Sequence, residues 1–219
     1  MTPPPRKKSR AYIGRVIRLL KGRYASEMHT SLDYKTPFQL LVATILSAQS
    51  QDVKVNLLTP KLFRDYPDPK SYVGAKASDL YPYIRHLGLY QGKSKSIAKT
   101  ANILCSRFGS EVPKTIEELT TLAGVGRKTA NVVLSDAYGI DEGIAIDTHC
   151  ITVANRLGLA NTKNPVKIEK ALMDIVPKAE WGDVSHLFIA LGRDTCQARI
   201  KRCEDCVLKR ICPSSTSRG

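Results

Sequence analysis

Three features of the sequence predict an all-α fold. Apolar residues recur at helical spacing along most of the chain, no stretch alternates strictly for long enough to make a strand, and Gly and Pro punctuate the helical segments. The 219 residues suffice for one large domain or two small ones. Residues 1–10 are rich in Pro, Lys and Arg and read as a flexible tail. Behind them Ile13, Val16, Ile17 and Leu20 form the stripe of an amphipathic helix. Thr36-Pro37 is a helix start, an N-cap hydroxyl followed by proline in the first turn, and opens a helix over 38–49. Further helices are predicted at 53–63, 77–84, 93–108, 116–122, 127–138, 148–157, 166–176 and 184–196. Pro67, Pro69, Gly88, Gly109, Gly139, Gly158 and Pro177 separate them. No repeat of solenoid period is present, and low complexity is confined to residues 2–9 and 214–219.

Hydrophobic residues at 42% and charged residues at 25% exclude a wholly disordered chain. No apolar run approaches the ~20 residues of a membrane helix. The basic N-terminal segment leads into no apolar secretory stretch, so a reducing, cytoplasmic location is expected. Lys and Arg outnumber Asp and Glu by 34 to 20, a formal charge of +14 that makes polyanions the leading class of partner. Residues 1–23 hold eight basic side chains and no acidic one.

Cys196, Cys203, Cys206 and Cys212 follow the spacing C-x6-C-x2-C-x5-C. Disulfides fit poorly with a chain lacking a secretion signal. Zinc sites usually show two matched short pairs, whereas only Cys203 and Cys206 make one here. A cubane cluster is larger than one ion and takes ligands from a loop wrapped around it, so spacing leans toward iron–sulfur with zinc as the alternative. Arg199, Lys201 and Arg202 lie between the first two cysteines. They are either solvated charge or cations that a folded loop aims at a phosphate backbone. Cys105 and Cys150 fall within helical patterns and are expected to be small buried residues.

The segment Leu122 to Ala130 joins two helices through Gly124-Val125-Gly126-Arg127. Its glycines permit positive φ and close backbone approach, and turn amides at the mouth of a helix make a phosphate site. No dinucleotide fingerprint is involved, because no strand precedes it and the third glycine is missing.

The run LAGVGRKTANVVL, then Asp147 in IAIDTHC nineteen residues after Lys128, then the four-cysteine spacing resemble the endonuclease III family of helix-hairpin-helix DNA glycosylases. LLVATILSAQSQDVKVN and HLGLYQGKSKSI resemble it too, so the likeness runs from Thr36 to Cys212. It implies a bifunctional glycosylase and abasic-site lyase of base excision repair. Such an enzyme removes oxidised pyrimidines from double-stranded DNA, carries a 4Fe-4S cluster on the four cysteines and works as a monomer without a membrane. By the same likeness Lys128 is the nucleophile and Asp147 the partner carboxylate. Gln49 fills the space of a flipped nucleotide, and Leu89 wedges beside the opposite base. Ser47 and Asp52 lie near Gln49 as pocket candidates. The chemistry is coherent: a flipped nucleotide exposes C1′, a neutral amine attacks it, and the Schiff base formed permits β-elimination. An ordinary lysine is protonated at neutral pH, so Lys128 is expected to be partly buried at the positive end of a helix. Ala123 stands where the family often has proline, which puts the rigidity of the turn in question.

Each assignment has a plainer counterpart: a phosphate-binding or solvated surface lysine for Lys128, an N-cap for Asp147, helix-end packing for Gln49 and Leu89. The resemblance implies a central lobe over residues 30–141 carrying the hairpin. A second lobe, from 1–29 and 142–219, carries the cluster, and DNA crosses the cleft so that Lys128 and Asp147 face each other. The rivals are a monofunctional mismatch glycosylase for thymine or uracil on the same scaffold, and a non-catalytic iron–sulfur DNA-binding protein.

Overall fold

The computed structural model describes residues 9–217; of the tail predicted over 1–10, residues 1–8 lie outside them, as do residues 218–219, while Ser9 caps the first helix and Arg10 begins it. Every regular element among the described residues is helical, and one isolated bridge joins Cys196 and Lys201. The chain divides into two compact units, Ser31–Glu142 and Met1–Thr30 with Gly143–Gly219.

The core of the first unit is built on α2 (Pro37–Ser47), which is buried all round from Phe38 to Leu46. A helix with apolar residues on every side must lie inside others. Thr36 caps it by accepting from Gln39 N at 3.2 Å, and the buried Thr44 hydroxyl donates to Leu40 O at 2.8 Å. Packed on α2 are α3 (Asp52–Asp65), which buries one stripe through Val55, Thr59 and Leu62, α5 (Tyr90–Arg107) and α7 (Arg127–Tyr138). Two short helices, α4 (Tyr81–Ile84) and α6 (Ile116–Leu119), complete the unit.

The second unit joins α1 (Arg10–Tyr24) to α8 (Thr148–Arg156), α9 (Pro165–Met173) and α10 (Trp181–Asp194). The predicted stripe of α1 is buried as expected and continues to Tyr24. Helices α8 and α10 cross closely at Gly192, where a Cβ would lie 2.7 Å from His149 Cβ. Lys21 ties α1 to the start of α10 through Glu180 at 2.6 Å and Asp183 at 2.7 Å.

The helix predicted over 77–84 is instead a 3-10 turn, Ala77–Leu80, followed by α4. Pro82 has no N–H for an α-helical bond to Ser78 O, and Tyr81 N takes that carbonyl. The helix predicted over 116–122 stops at Leu119, after which Thr121 and Leu122 make tighter bonds three residues back. Cys105, expected to be buried, is half-exposed and accepts from Ser110 Oγ at 3.4 Å, whereas Cys150 is buried.

Candidate functional site

The Gly-Val-Gly hairpin leads into α7 with Gly126 as N-cap. Gly124 has φ +77°, and a Cβ there would sit 2.8 Å from Ser96 Cβ, so α5 presses directly on the turn. Gly126 has φ −95° and open space around it. The carbonyl of Ala123 accepts from the Thr100 hydroxyl at 2.9 Å, which fixes the turn where a proline would otherwise stiffen it. Val125 is buried beneath the turn. Arg127 and Lys128 are the first two residues of α7 and both are exposed. The partial burial expected for Lys128 is therefore absent: as the second residue of the helix it points out of the core, while Ala130, Val133 and Leu134 point in. Its place at the positive end of a helix is as expected.

Two turns of this unit share a rare backbone. Gln49 has φ 56° and Leu89 φ 58°, two of the three non-glycine residues with positive φ among those described. Such backbones are strained for side chains larger than glycine and persist where surrounding structure enforces them. Gln49 is exposed in the turn after α2, and Leu89, 65% exposed, precedes α5. An apolar side chain held out on a strained backbone is not core packing. Ser47 is half-buried and donates to Thr44 O at 3.0 Å. Asp52 opens α3 and accepts from Ser31 Oγ at 2.7 Å.

In the other unit Asp147 is the N-cap of α8, accepting from Cys150 N at 2.8 Å through Oδ1. That bond leaves Oδ2 for other work. Beyond α10, Cys196, Cys203, Cys206 and Cys212 line one cavity together with Arg156. The Arg156 guanidinium donates to Cys196 O at 3.0 Å, Cys196 Sγ at 3.3 Å, Gln197 O at 2.8 Å and Ala198 O at 2.8 Å. Burial pushes the Cys206 and Cys212 thiols up, whereas hydrogen bonding from Thr216 lowers Cys203. Arg199 and Lys201 are exposed. Arg202 is exposed too, but its guanidinium is paired with Asp194 at 3.2 Å, which draws it back toward α10.

Sequence reasoning missed Lys93, Ser96, Thr100 and Arg156. The first three have a signal in retrospect. Their spacing, three and then four residues apart, puts them on one face of α5, a polar row beside the buried apolar positions Ile97, Ala98, Ala101 and Leu104.

The HhH-GPD superfamily base excision DNA repair protein family matches residues 42–178. Endonuclease III of a Synechocystis species is 43% identical over 200 residues, 91% of each chain. The Escherichia coli enzyme of that name is 42% identical over 183 residues, 84% of this chain and 86% of its own. Among solved structures, a non-covalent endonuclease III–DNA complex superposes with a TM-score of 0.88 at 38% identity, over 94% of this chain and 96% of that one. A trapped endonuclease III–DNA covalent intermediate does so equally well, over 94% and 97%. A thermostable thymine-DNA glycosylase, at 19% identity and a TM-score of 0.82, shares the fold. The chain belongs to the endonuclease III family of helix-hairpin-helix base excision repair proteins. No helix among the described residues is long and apolar enough to cross a membrane.

Proposed function

We propose that the protein is a bifunctional DNA glycosylase and abasic-site lyase acting on oxidised pyrimidines in double-stranded DNA, with Lys128 as nucleophile. The observation that carries this reading is an exposed lysine in the first turn of α7, directly behind a glycine hairpin whose amides can take a phosphate. Gly124, Val125, Gly126 and Arg127 hold the backbone of the damaged strand. Gln49 and Leu89, projected by strained turns, fill the stack that the damaged nucleotide leaves, with Ser47 and Asp52 bordering the space beside Gln49.

The amine of Lys128, free of its proton, forms a bond to C1′ as the base departs with the electrons of the glycosidic bond. The aminal then opens: the C1′–O4′ bond breaks with its electrons on O4′, which takes up a proton, and the nitrogen lone pair completes the Schiff base, whose C2′ proton is acidic. Its removal expels the 3′ phosphate and cuts the strand. Lys128 stands at the start of α7, where its exposed side chain can be covered by a docked nucleotide. Asp147, with Oδ2 free of its capping role, stabilises positive charge developing on the sugar or takes the amine proton.

The four cysteines fit a 4Fe-4S cluster. All four line one cavity together with Arg156. A cubane cluster is larger than a single ion and takes its ligands from a loop wrapped around it, which suits the wide spacings flanking Cys203 and Cys206. When bound, the cluster ties the ends of the loop together. This chain's own contribution is Arg156, which holds the loop's carbonyls, and the exposed Arg199 and Lys201, which meet phosphates with Arg202 behind them.

The test is product analysis on a duplex carrying thymine glycol and on one carrying an abasic site. The protein is expected to release the base and leave a strand with a β-elimination end. Lys128→Ala is expected to bind both duplexes and cut neither. Base release that leaves the strand intact points to the monofunctional rival, and binding with no reaction to the non-catalytic one. A cytoplasmic location fits DNA as the partner and thiolates as the cluster's ligands.

A further inference from the structure

Lys93 is buried, 5% exposed, although it belongs to a residue type that is almost never fully buried unless paired. Its ammonium donates to Ser50 Oγ at 2.8 Å, and its backbone N–H donates to Leu89 O at 3.0 Å. The backbone bond is the first of α5 and any residue here would make it; the side chain is what ties the neighbour of Gln49 to the turn of α5 that follows Leu89, and those are the two non-glycine turns of strained backbone attributed above to the wedge. Burial lowers the Lys93 amine from its ordinary value, the mark of a cation held out of water. A neutral hydroxyl compensates a buried charge poorly, and an apolar side chain of the same length would fill the site at less cost to folding. Stability therefore does not explain the charge.

We propose that Lys93 is a positioning residue for nucleotide flipping, locking the Gln49 turn to the start of α5 so that Gln49 and Leu89 enter the duplex as one rigid wedge. The proposal rests on the wedge roles given above. Lys93 does not contact the reacting sugar; its side chain acts through Ser50. A wedge in two independent pieces would lose its geometry whenever either turn relaxed, and strained turns relax readily once their supports are removed.

The experiment measures 2-aminopurine fluorescence in a duplex with that base opposite a tetrahydrofuran abasic analogue, alongside single-turnover release of thymine glycol. Lys93→Met removes the charge and keeps the length. It is expected to lower both the fluorescence rise and the excision rate about tenfold, the order set by losing a hydrogen bond to a charged group. KM is expected to move less than about twofold, since uniform binding is untouched, and the melting temperature to hold or rise. Lys93→Arg is expected to restore most of the signal. Ser50→Ala is expected to resemble Lys93→Met, and the double variant to be no worse than either single one. Lys93→Met with a full signal, while Leu89→Ala and Gln49→Ala lose it, overturns the proposal and leaves the wedge. A full signal in Leu89→Ala and Gln49→Ala overturns the wedge itself. A lower melting temperature in Lys93→Met that Lys93→Arg does not recover assigns Lys93 to folding and also overturns the proposal.

Discussion

The two glycines of the hairpin are equivalent in sequence and opposite in structure, which makes their substitution informative. Gly124 has φ +77° and faces Ser96 Cβ at 2.8 Å and Ser96 Oγ at 2.9 Å from an added Cβ, with Ile45 Cγ2 at 3.7 Å. Gly124→Ala therefore meets two penalties. The left-handed backbone costs a residue with a Cβ about 1–2 kcal/mol, and forcing α5 away from the turn adds about 1–3 kcal/mol. Together they predict a loss of roughly 2–5 kcal/mol. Gly126, at φ −95° with nothing within 4 Å of an added Cβ, has room for a small side chain. Gly126→Ser also supplies a preferred N-cap, so its stability is expected to stay within about 0.5 kcal/mol. Its cost falls on DNA affinity, because the new side chain stands where a phosphate must reach the amides. Urea denaturation and binding to an uncleavable duplex separate the two effects. Ser96→Gly in the Gly124→Ala background removes the crowding atoms and is expected to recover the packing part of the loss but not the backbone part. Equal stability of Gly124→Ala and Gly126→Ser would refute the reasoning, since it would mean that neither φ nor Ser96 constrains the turn.

Tyr24 donates to Asp194 Oδ2 at 2.9 Å, and burial first, with that carboxylate, raises its phenol from 10.0 to about 12. The folded state keeps a proton that the unfolded state gives up, so this contribution is whole below pH 10 and is lost as pH rises toward about 12. Tyr24→Phe is expected to flatten that part of the stability profile, measured by denaturation at several alkaline pH values. Asp147→Asn keeps an N-cap of similar quality and is expected to change stability little while slowing base release, whereas Asp147→Ala loses roughly 1 kcal/mol as well. Metal and sulfide analysis is expected to find iron and acid-labile sulfide in the protein as purified. Cys203→Ser is expected to lower both and to raise protease cleavage between Cys196 and Cys212, because the cluster closes that loop; zinc in place of iron contradicts the assignment.

The parts of the molecule visible in the sequence are those set by local chemistry. Helix α7 runs from Arg127 to Tyr138 as predicted because a glycine stands at each end, Gly139 with φ +65° closing it. The stripe of α1 was readable from spacing alone. Long-range side-chain bonds were not, since periodicity carries no information about partners distant in sequence. Thr100 securing Ala123, Lys93 reaching Ser50 and Arg156 gathering the cysteine loop are of this kind. The exposure of Lys128 was misjudged for a related reason. The sequence leads one to expect both partial burial and the positive end of a helix, but on α7 the inward face belongs to Ala130, Val133 and Leu134, and only the helix start remains for the lysine. Gln49 and Leu89 were legible as motif positions, whereas their positive φ needed coordinates.

The central claim is that one particular amine becomes covalently joined to deoxyribose. Borohydride reduction during turnover of a thymine glycol duplex, followed by peptide mapping of the trapped species, tests it most directly. The expected result is a stable protein–DNA adduct on the peptide containing Lys128, absent from Lys128→Ala. An adduct mapped to another residue, or none from a preparation that releases the base, contradicts the account.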